Sequence, residues 1–123
     1  MATPKLTAQA GKLNMVIEQG ATFNPVLTYQ DETGTAISLV GYTARMMIKD
    51  ARTDATALEE LTTENGGITL GGVAGTIALL FSATDTAAMV WECGVYDLEL
   101  ISGGGIVTRL LQGVVTVSAE VTA

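Results

Sequence analysis

The sequence predicts an all-β fold, an immunoglobulin-like antiparallel β-sandwich of about seven or eight strands with one short helical crossover near residues 83–89. In several short segments apolar residues alternate with polar ones, which is the period of a half-buried strand. Turn-forming residues separate these segments about every ten residues. The 123 residues suit one domain with a sizeable core.

The first half of the chain supplies three such segments. "LNMVIEQG" alternates from Leu13 and stops at Gly20. "TFNPVLTYQ" contains Pro25, and because proline lacks the ladder N–H, this strand is expected at a sheet edge or with a bulge there. "DETGTAI" predicts a hairpin turn, and "YTARMMIKD" then alternates from Tyr42 to Lys49.

Residues 63–72, "TENGGITLGG", fit either a phosphate-binding loop or a set of turns. A Walker loop needs Lys and then Ser or Thr after its last glycine, but Val73 follows Gly72. The spacing is not that of the dinucleotide fingerprint either. The glycines are therefore predicted to form turns. The preceding "ATALEELT" fits one helical turn or a short strand, and we favour the strand because it leads straight into a turn.

The second half of the chain contains the predicted helix and the two longest strands. In "FSATDTAAM", Ser82 and Asp85 form a capping-box-like pair that begins a short helical crossover between the two sheets. "GVYDLELIS" alternates from Tyr96, and "GGG" at 103–105 predicts a hairpin tip. Gly113, in the return strand, predicts a bulge or a close approach.

The domain organisation is an arm and one domain. Residues 1–12 show no sustained periodicity, and they fit either a frayed terminus or an arm that becomes ordered on a neighbouring subunit. Residues 13–123 are predicted to form a single β-sandwich domain.

Composition argues against several classes of function. The formal charge of −7 disfavours contact with nucleic acid or with an anionic membrane surface. The chain has no histidine and one cysteine, Cys93, so the usual general base, Cys-His chemistry and a thiolate metal cluster are missing. We expect no enzyme, no catalytic residue, no metal and no cofactor.

Charged residues on the predicted strands fit a structural role. Asp97 and Glu99 fall on one strand face, which is typical of the solvent side of a sandwich. Arg45 and Arg109 each lie in mid-strand, so a cross-strand pair with one of these carboxylates is expected.

The candidate assembly interface comprises Pro4, Lys5 and Leu6 of the arm, together with Met47 and Trp91. Met47 faces away from Met46, which fits a contact surface. Trp91 fits either a packing position or an interface anchor, because tryptophan is common in both.

The stretch "VIEQGATFNPVLTYQDETGTAISLVGYTARMMIKD", followed by "LTTENGGITL", "SATDTA" and "GVYDLEL", resembles small proteins of tailed bacteriophages. The likeness is to the immunoglobulin-like amino-terminal module of phage upper-baseplate (BppU-type) proteins, and it covers roughly residues 13–119. These motifs are turn and strand signatures and carry no catalytic chemistry.

The resemblance implies a non-enzymatic structural protein of a virion, made in the host cytoplasm and assembled with tail, fibre or capsid subunits and with copies of itself. It predicts an adaptor at the tail, baseplate or tail-fibre junction. The chain ends at Ala123 without a fibre shaft, which argues against direct host binding. A capsid decoration (cement) protein is the first alternative, and a cell-surface or carbohydrate-binding module is the second.

Overall fold

The computed structural model describes residues 5–6 and 11–120 of the chain. In this part there are ten strands and one α-helix, α1 (Ala83–Ala87). The strands are β1 (Lys5–Leu6), β2 (Gly11–Lys12), β3 (Met15–Glu18), β4 (Val26–Tyr29), β5 (Thr43–Lys49), β6 (Glu59–Thr62), β7 (Ile68–Leu70), β8 (Thr76–Leu79), β9 (Cys93–Ile101) and β10 (Val107–Ser118). Eight of them have three or more residues, which agrees with the predicted strand number.

The strands form two sheets that pack face to face. One sheet has the order β1-β4-β8-β7, and the other has the order β2-β10-β9-β5-β6, with β3 also pairing along β10. The pairs of β1 with β4 and of β2 and β3 with β10 are parallel, and the other pairs are antiparallel. This division of the strands between two sheets is that of an immunoglobulin-like sandwich, so the predicted fold class is confirmed.

The core lies between the sheets and is built by strict alternation. Ala44, Met46 and Ile48 of β5 are each 1% exposed, whereas the residues between them point outward. The same alternation buries Leu98 and Leu100 on β9. A two-residue period sends every second side chain to the same face, which is why these strands could be read from the sequence.

The helical crossover forms where it was predicted. The Ser82 hydroxyl accepts a hydrogen bond from the Asp85 N–H at 3.1 Å, and this bond caps the helix. Thr86 is fully buried, and its hydroxyl donates to the Ala21 carbonyl at 2.8 Å and accepts from the Gly20 N–H at 3.0 Å. The helix is thus held against the chain just after β3 while the chain passes from β8 to β9 in the other sheet.

The predicted turns are confirmed, and the structure shows what they connect. Gly66 has the positive φ of 80° that glycine adopts readily, and the turn it occupies joins β6 to β7 in different sheets. The stretch "ATALEELT" contains β6, so the preference for a strand is also confirmed. Gly71–Gly75 then forms the hairpin turn between β7 and β8.

The structure refines the predictions made for Gly113 and for Pro25. Gly113 is a close approach, because a Cβ there would lie 2.9 Å from the Leu13 carbonyl carbon; the bulge in β10 lies between Arg109 and Leu111. Pro25 was expected inside a strand, but β4 begins at Val26. Proline has no N–H for the ladder, and its carbonyl accepts a hydrogen bond from the Leu79 N–H at 3.0 Å.

Part of the predicted arm pairs with this same chain. Lys5–Leu6 pairs with β4, and Gly11–Lys12 pairs with β10. Residues 1–4, 7–10 and 121–123 lie outside the described residues. An arm that becomes ordered on a neighbouring subunit therefore stays a prediction, as does the domain boundary at residue 13.

Candidate assembly interface

The candidate interface residues do not lie together. Met47 is on the outer face of the six-stranded sheet, and Trp91 lies in the segment between α1 and β9. Lys5 and Leu6 belong to β1, at the edge of the other sheet, and Pro4 lies outside the described residues. The four candidates that the structure describes therefore do not form one surface.

Trp91 is half-buried and packs against the core. Its indole N–H donates a hydrogen bond to the Glu59 carboxylate at 3.3 Å, which ties it to β6. This contact accounts for a packing role, and the exposed part of the ring leaves an interface role open.

Met47 lies in a depression of about 390 Å³ on the outer face of β5, β9 and β10. We call it the basic depression; it is lined by Arg45, Met47, Lys49, Arg52, Val95, Tyr96, Asp97, Glu99, Arg109 and Gln112. One cross-strand pair was expected and two are present: the Arg45 Nε lies 2.8 Å from the Glu99 Oε1, and the Arg109 Nε lies 3.7 Å from the Asp97 Oδ2. The four side chains are partly exposed, so these pairs contribute little to stability.

A second surface lies at one end of the sandwich, where three loops meet. The Leu39 N–H donates a hydrogen bond to the Gly72 carbonyl at 2.9 Å, so loop 36–42 contacts turn 71–75. A Cβ at Gly103 would lie 3.5 Å from the Gly41 carbonyl oxygen, so the same loop also contacts the β9–β10 hairpin tip. Gly75, with a φ of 69°, passes too close to the Ile37 carbonyl for a side chain.

Each of the three loops exposes one branched apolar side chain. Val40 is 66% exposed, Val73 75% and Ile106 70%. The segments 36–42, 71–75 and 102–106 contain no charged residue, so the side chains that water meets at this end are uncharged. We call the surface that carries Val40, Val73 and Ile106 the loop end. Exposed apolar side chains grouped at one end of a domain make that end a candidate contact site.

Sequence reasoning missed the loop end. The signal was present, because each segment combines glycine with valine or isoleucine and lacks charge. The segments are some 30 residues apart in the chain, and only the pairing of the strands brings them together.

Ionisable groups with shifted pKa values are explained by structural contacts. The Thr33 hydroxyl donates to the Asp31 carboxylate at 2.6 Å and lowers the pKa of that carboxyl. Burial raises the pKa of Tyr96, and burial together with the nearby Tyr42 raises that of Tyr29.

Across residues 5–6 and 11–120, no three His, Cys, Asp or Glu side chains come together as metal ligands. No helix of this described part is long and apolar enough to cross a membrane.

Comparison with known proteins adds little to this picture. No family model matches the chain, and no curated protein matches it. A solved structure of Drosophila OTK extracellular domains 3–5 aligns with 85% of this chain at 14% identity and a TM-score of 0.39, and the aligned part is 32% of that chain. A similarity this low supports no inference, so the assignment to the immunoglobulin-like sandwich class rests on sheet topology.

Proposed function

We propose that this chain is a non-enzymatic structural protein of a bacteriophage virion, an assembly module at the tail, baseplate or tail-fibre junction. The proposal is supported by the phage-like motifs, several of which form structural elements of the fold. "TENGG" makes the link between sheets, "SATDTA" makes the capped helix, and "GVYDLEL" makes most of the central strand β9.

The observation that carries the proposal is the loop end. Val40, Val73 and Ile106 are each at least 66% exposed on three loops, and loop 36–42 contacts the other two. Leaving apolar side chains in water costs free energy that burial against a partner recovers, about 25 cal/mol per Å² of apolar surface. A module that works by docking on another virion subunit has a reason to keep apolar side chains exposed together at one end.

An open strand edge supplies a second means of docking. Among the described strands, β7 ends one sheet and presents unpaired backbone groups along one side. β6 ends the other sheet, but the Asn65 side chain accepts a hydrogen bond from the Thr62 N–H at 2.9 Å and donates one to the Glu60 carbonyl at 3.2 Å, which covers part of that edge. A partner strand can pair with an open edge with little demand on side chains. The edge of β7 therefore fits assembly with other subunits, including copies of this chain.

The experiment is to measure copy number in purified particles by quantitative mass spectrometry against the major capsid protein. A small minority share supports the tail adaptor. Near-parity overturns the adaptor and supports the capsid decoration protein. Complete absence from particles overturns both, and with them the proposed location in the virion.

A cell-surface or carbohydrate-binding module is the alternative from another class. Sugar sites are built on exposed aromatic rings, and only 5% of this chain is aromatic. Trp91, the ring best placed for that role, is half-buried with its N–H bonded to Glu59. Binding of the isolated protein to host glycans that is lost in Trp91→Ala would favour this alternative over the virion module.

A further inference from the structure

The basic depression concentrates positive charge in an acidic protein. It holds four of the chain's six Lys and Arg residues but only two of its 13 Asp and Glu residues. The depression therefore carries a formal charge of +2, and the rest of the chain carries −9. A surface of opposite sign to its surroundings is a candidate for contact with acidic groups.

The cations of the depression fall into two groups. Arg45 and Arg109 are paired with carboxylates across the strands. Lys49 and Arg52 form no ion pair with any described residue, and the Arg52 guanidinium donates instead to the neutral Gln112 Oε1 at 3.2 Å. Lys49 and Arg52 are thus the two cations of the depression that have no carboxylate partner among the described residues.

The lining of the depression also includes apolar side chains. Met47 and Val95 contribute to it, and both are half-buried. Methionine and arginine are enriched where proteins contact one another. The composition therefore fits a protein surface better than a small anion surrounded by water.

One matching acidic group lies next to the depression on the same face, and a second follows it in the chain. Glu60 of β6 is in register with Met47 of β5, so both side chains point outward, and Glu64 follows in the next turn. We call Glu60 and Glu64 the acidic edge. Both are exposed, and neither forms an ion pair with any described residue.

We infer that this face is the contact between two copies of the chain. A two-fold rotation places the acidic edge of one copy over Lys49 and Arg52 of the other, and the same operation makes the reciprocal contact. Such a self-complementary patch is what a symmetric dimer needs. Salt at physiological strength screens charges beyond about 8 Å, so it weakens the repulsion between two acidic molecules more than it weakens these local pairs.

The inference deepens the proposed function, because it assigns one surface of the chain to the contact between copies. It rests on the proposed function only in taking the virus particle as the place where the dimer acts. The two can fail separately. A chain that is absent from particles but dimerises through this face overturns the function alone. A virion protein that stays monomeric in solution overturns the dimer alone.

The test is a charge exchange between the two surfaces, followed by sedimentation equilibrium of the full chain at about 0.15 M salt, from about 1 µM to about 1 mM. One variant is Lys49→Glu with Arg52→Glu, and the other is Glu60→Lys with Glu64→Lys. Each variant alone is expected to dimerise at least about tenfold more weakly than the wild type. The equimolar mixture is expected to regain association, because each surface then meets its opposite.

The controls separate the contact from net charge and from folding. Glu60→Lys with Glu64→Lys lowers the net negative charge, so weaker association in that variant is not general repulsion. Lys12→Glu reverses an exposed cation on β2 outside the depression and is expected to leave the dimer unchanged. Circular dichroism and thermal midpoints check that all variants fold.

Three outcomes overturn the inference. The first is a wild-type chain that stays monomeric up to about 1 mM. The second is a dimer whose affinity neither variant changes. The third is a mixture of the two variants that stays monomeric although the wild type dimerises.

Discussion

The Tyr96 hydroxyl donates a 2.6 Å hydrogen bond to the carbonyl oxygen of Leu13, 83 residues earlier in the chain. Tyr96 lies on β9, in the middle of the six-stranded sheet, and Leu13 lies between β2 and β3 at its edge. The bond passes beneath β10 at Gly113, which has no side chain to block it. It joins the start of the sandwich to one of its central strands.

Replacing Tyr96 with Phe tests this bond. The ring keeps its packing, but the Leu13 carbonyl loses its donor, so we expect the free energy of unfolding to fall by about 1–2 kcal/mol. Urea unfolding at neutral pH measures the change. A variant as stable as the wild type would contradict the role of the bond.

The same tyrosine predicts how stability changes in alkali. Burial raises the pKa of Tyr96 above the ordinary value of 10.0, so above that pH the unfolded chain loses the proton while the folded chain keeps it. The unfolded state then binds fewer protons, and the free energy of unfolding decreases as pH rises. Tyr29, whose pKa is also raised, acts in the same direction. Tyr96→Phe is expected to flatten this decrease in urea unfolding measured at several pH values above 10.0. An unchanged slope in the variant would rule out Tyr96 as its source.

The close approach at Gly113 predicts a steric cost. An alanine Cβ there would lie 2.9 Å from the Leu13 carbonyl carbon, and backbone must move to admit it. Gly113→Ala is expected to destabilise the fold by about 1–3 kcal/mol. Gly104→Ala at the hairpin tip is the matched control, because the nearest atom would be 3.9 Å away. Thermal denaturation of both variants makes the comparison. Equal thermal midpoints would show that the backbone at Leu13 moves aside without a cost in stability.

Thr86 is the polar anchor of the helical crossover. Thr86→Val keeps the shape of the side chain but leaves the Gly20 N–H and the Ala21 carbonyl without their partner. We expect a loss of about 2–3 kcal/mol in the free energy of unfolding, measured in urea. Thr84→Val changes an exposed threonine of the same helix and is expected to cost less than about 0.5 kcal/mol. Equal losses in the two variants would mean that helix propensity, and not the buried hydroxyl, sets the cost.

Several features of the fold could be predicted because they depend on local sequence. The alternation from Tyr42 to Lys49 identifies a strand and its buried face, since a two-residue period is a property of the strand alone. Ser82 and Asp85 identify the helix start through a bond between close neighbours. A cross-strand pair between one of the two arginines and Asp97 or Glu99 was expected because all four lie on predicted strands, although the sequence did not say which residues pair.

Long-range features could not be predicted in the same way. The sequence around Gly66 predicts a reversal of chain direction, but nothing in it indicates that β6 and β7 belong to different sheets. Pro25 was placed inside a strand because the apolar residues around it continue, whereas the ladder itself begins one residue later. The loop end needs three distant segments to meet, so its apolar character became visible only in the assembled sandwich.

The loop end gives the prediction that bears most directly on assembly. Replacing Val40, Val73 and Ile106 with Asp in one protein puts three charges on a surface whose loops have none, while the core is untouched. We expect a folded protein whose binding to particles produced without it falls about tenfold or more, because buried charge at a contact is costly. Val90→Asp is the control: Val90 is 91% exposed and follows α1 at the opposite end of the sandwich. If the triple variant binds particles as well as the wild type, the loop end is not the docking surface. If Val90→Asp loses binding to the same extent, the contact lies at the other end.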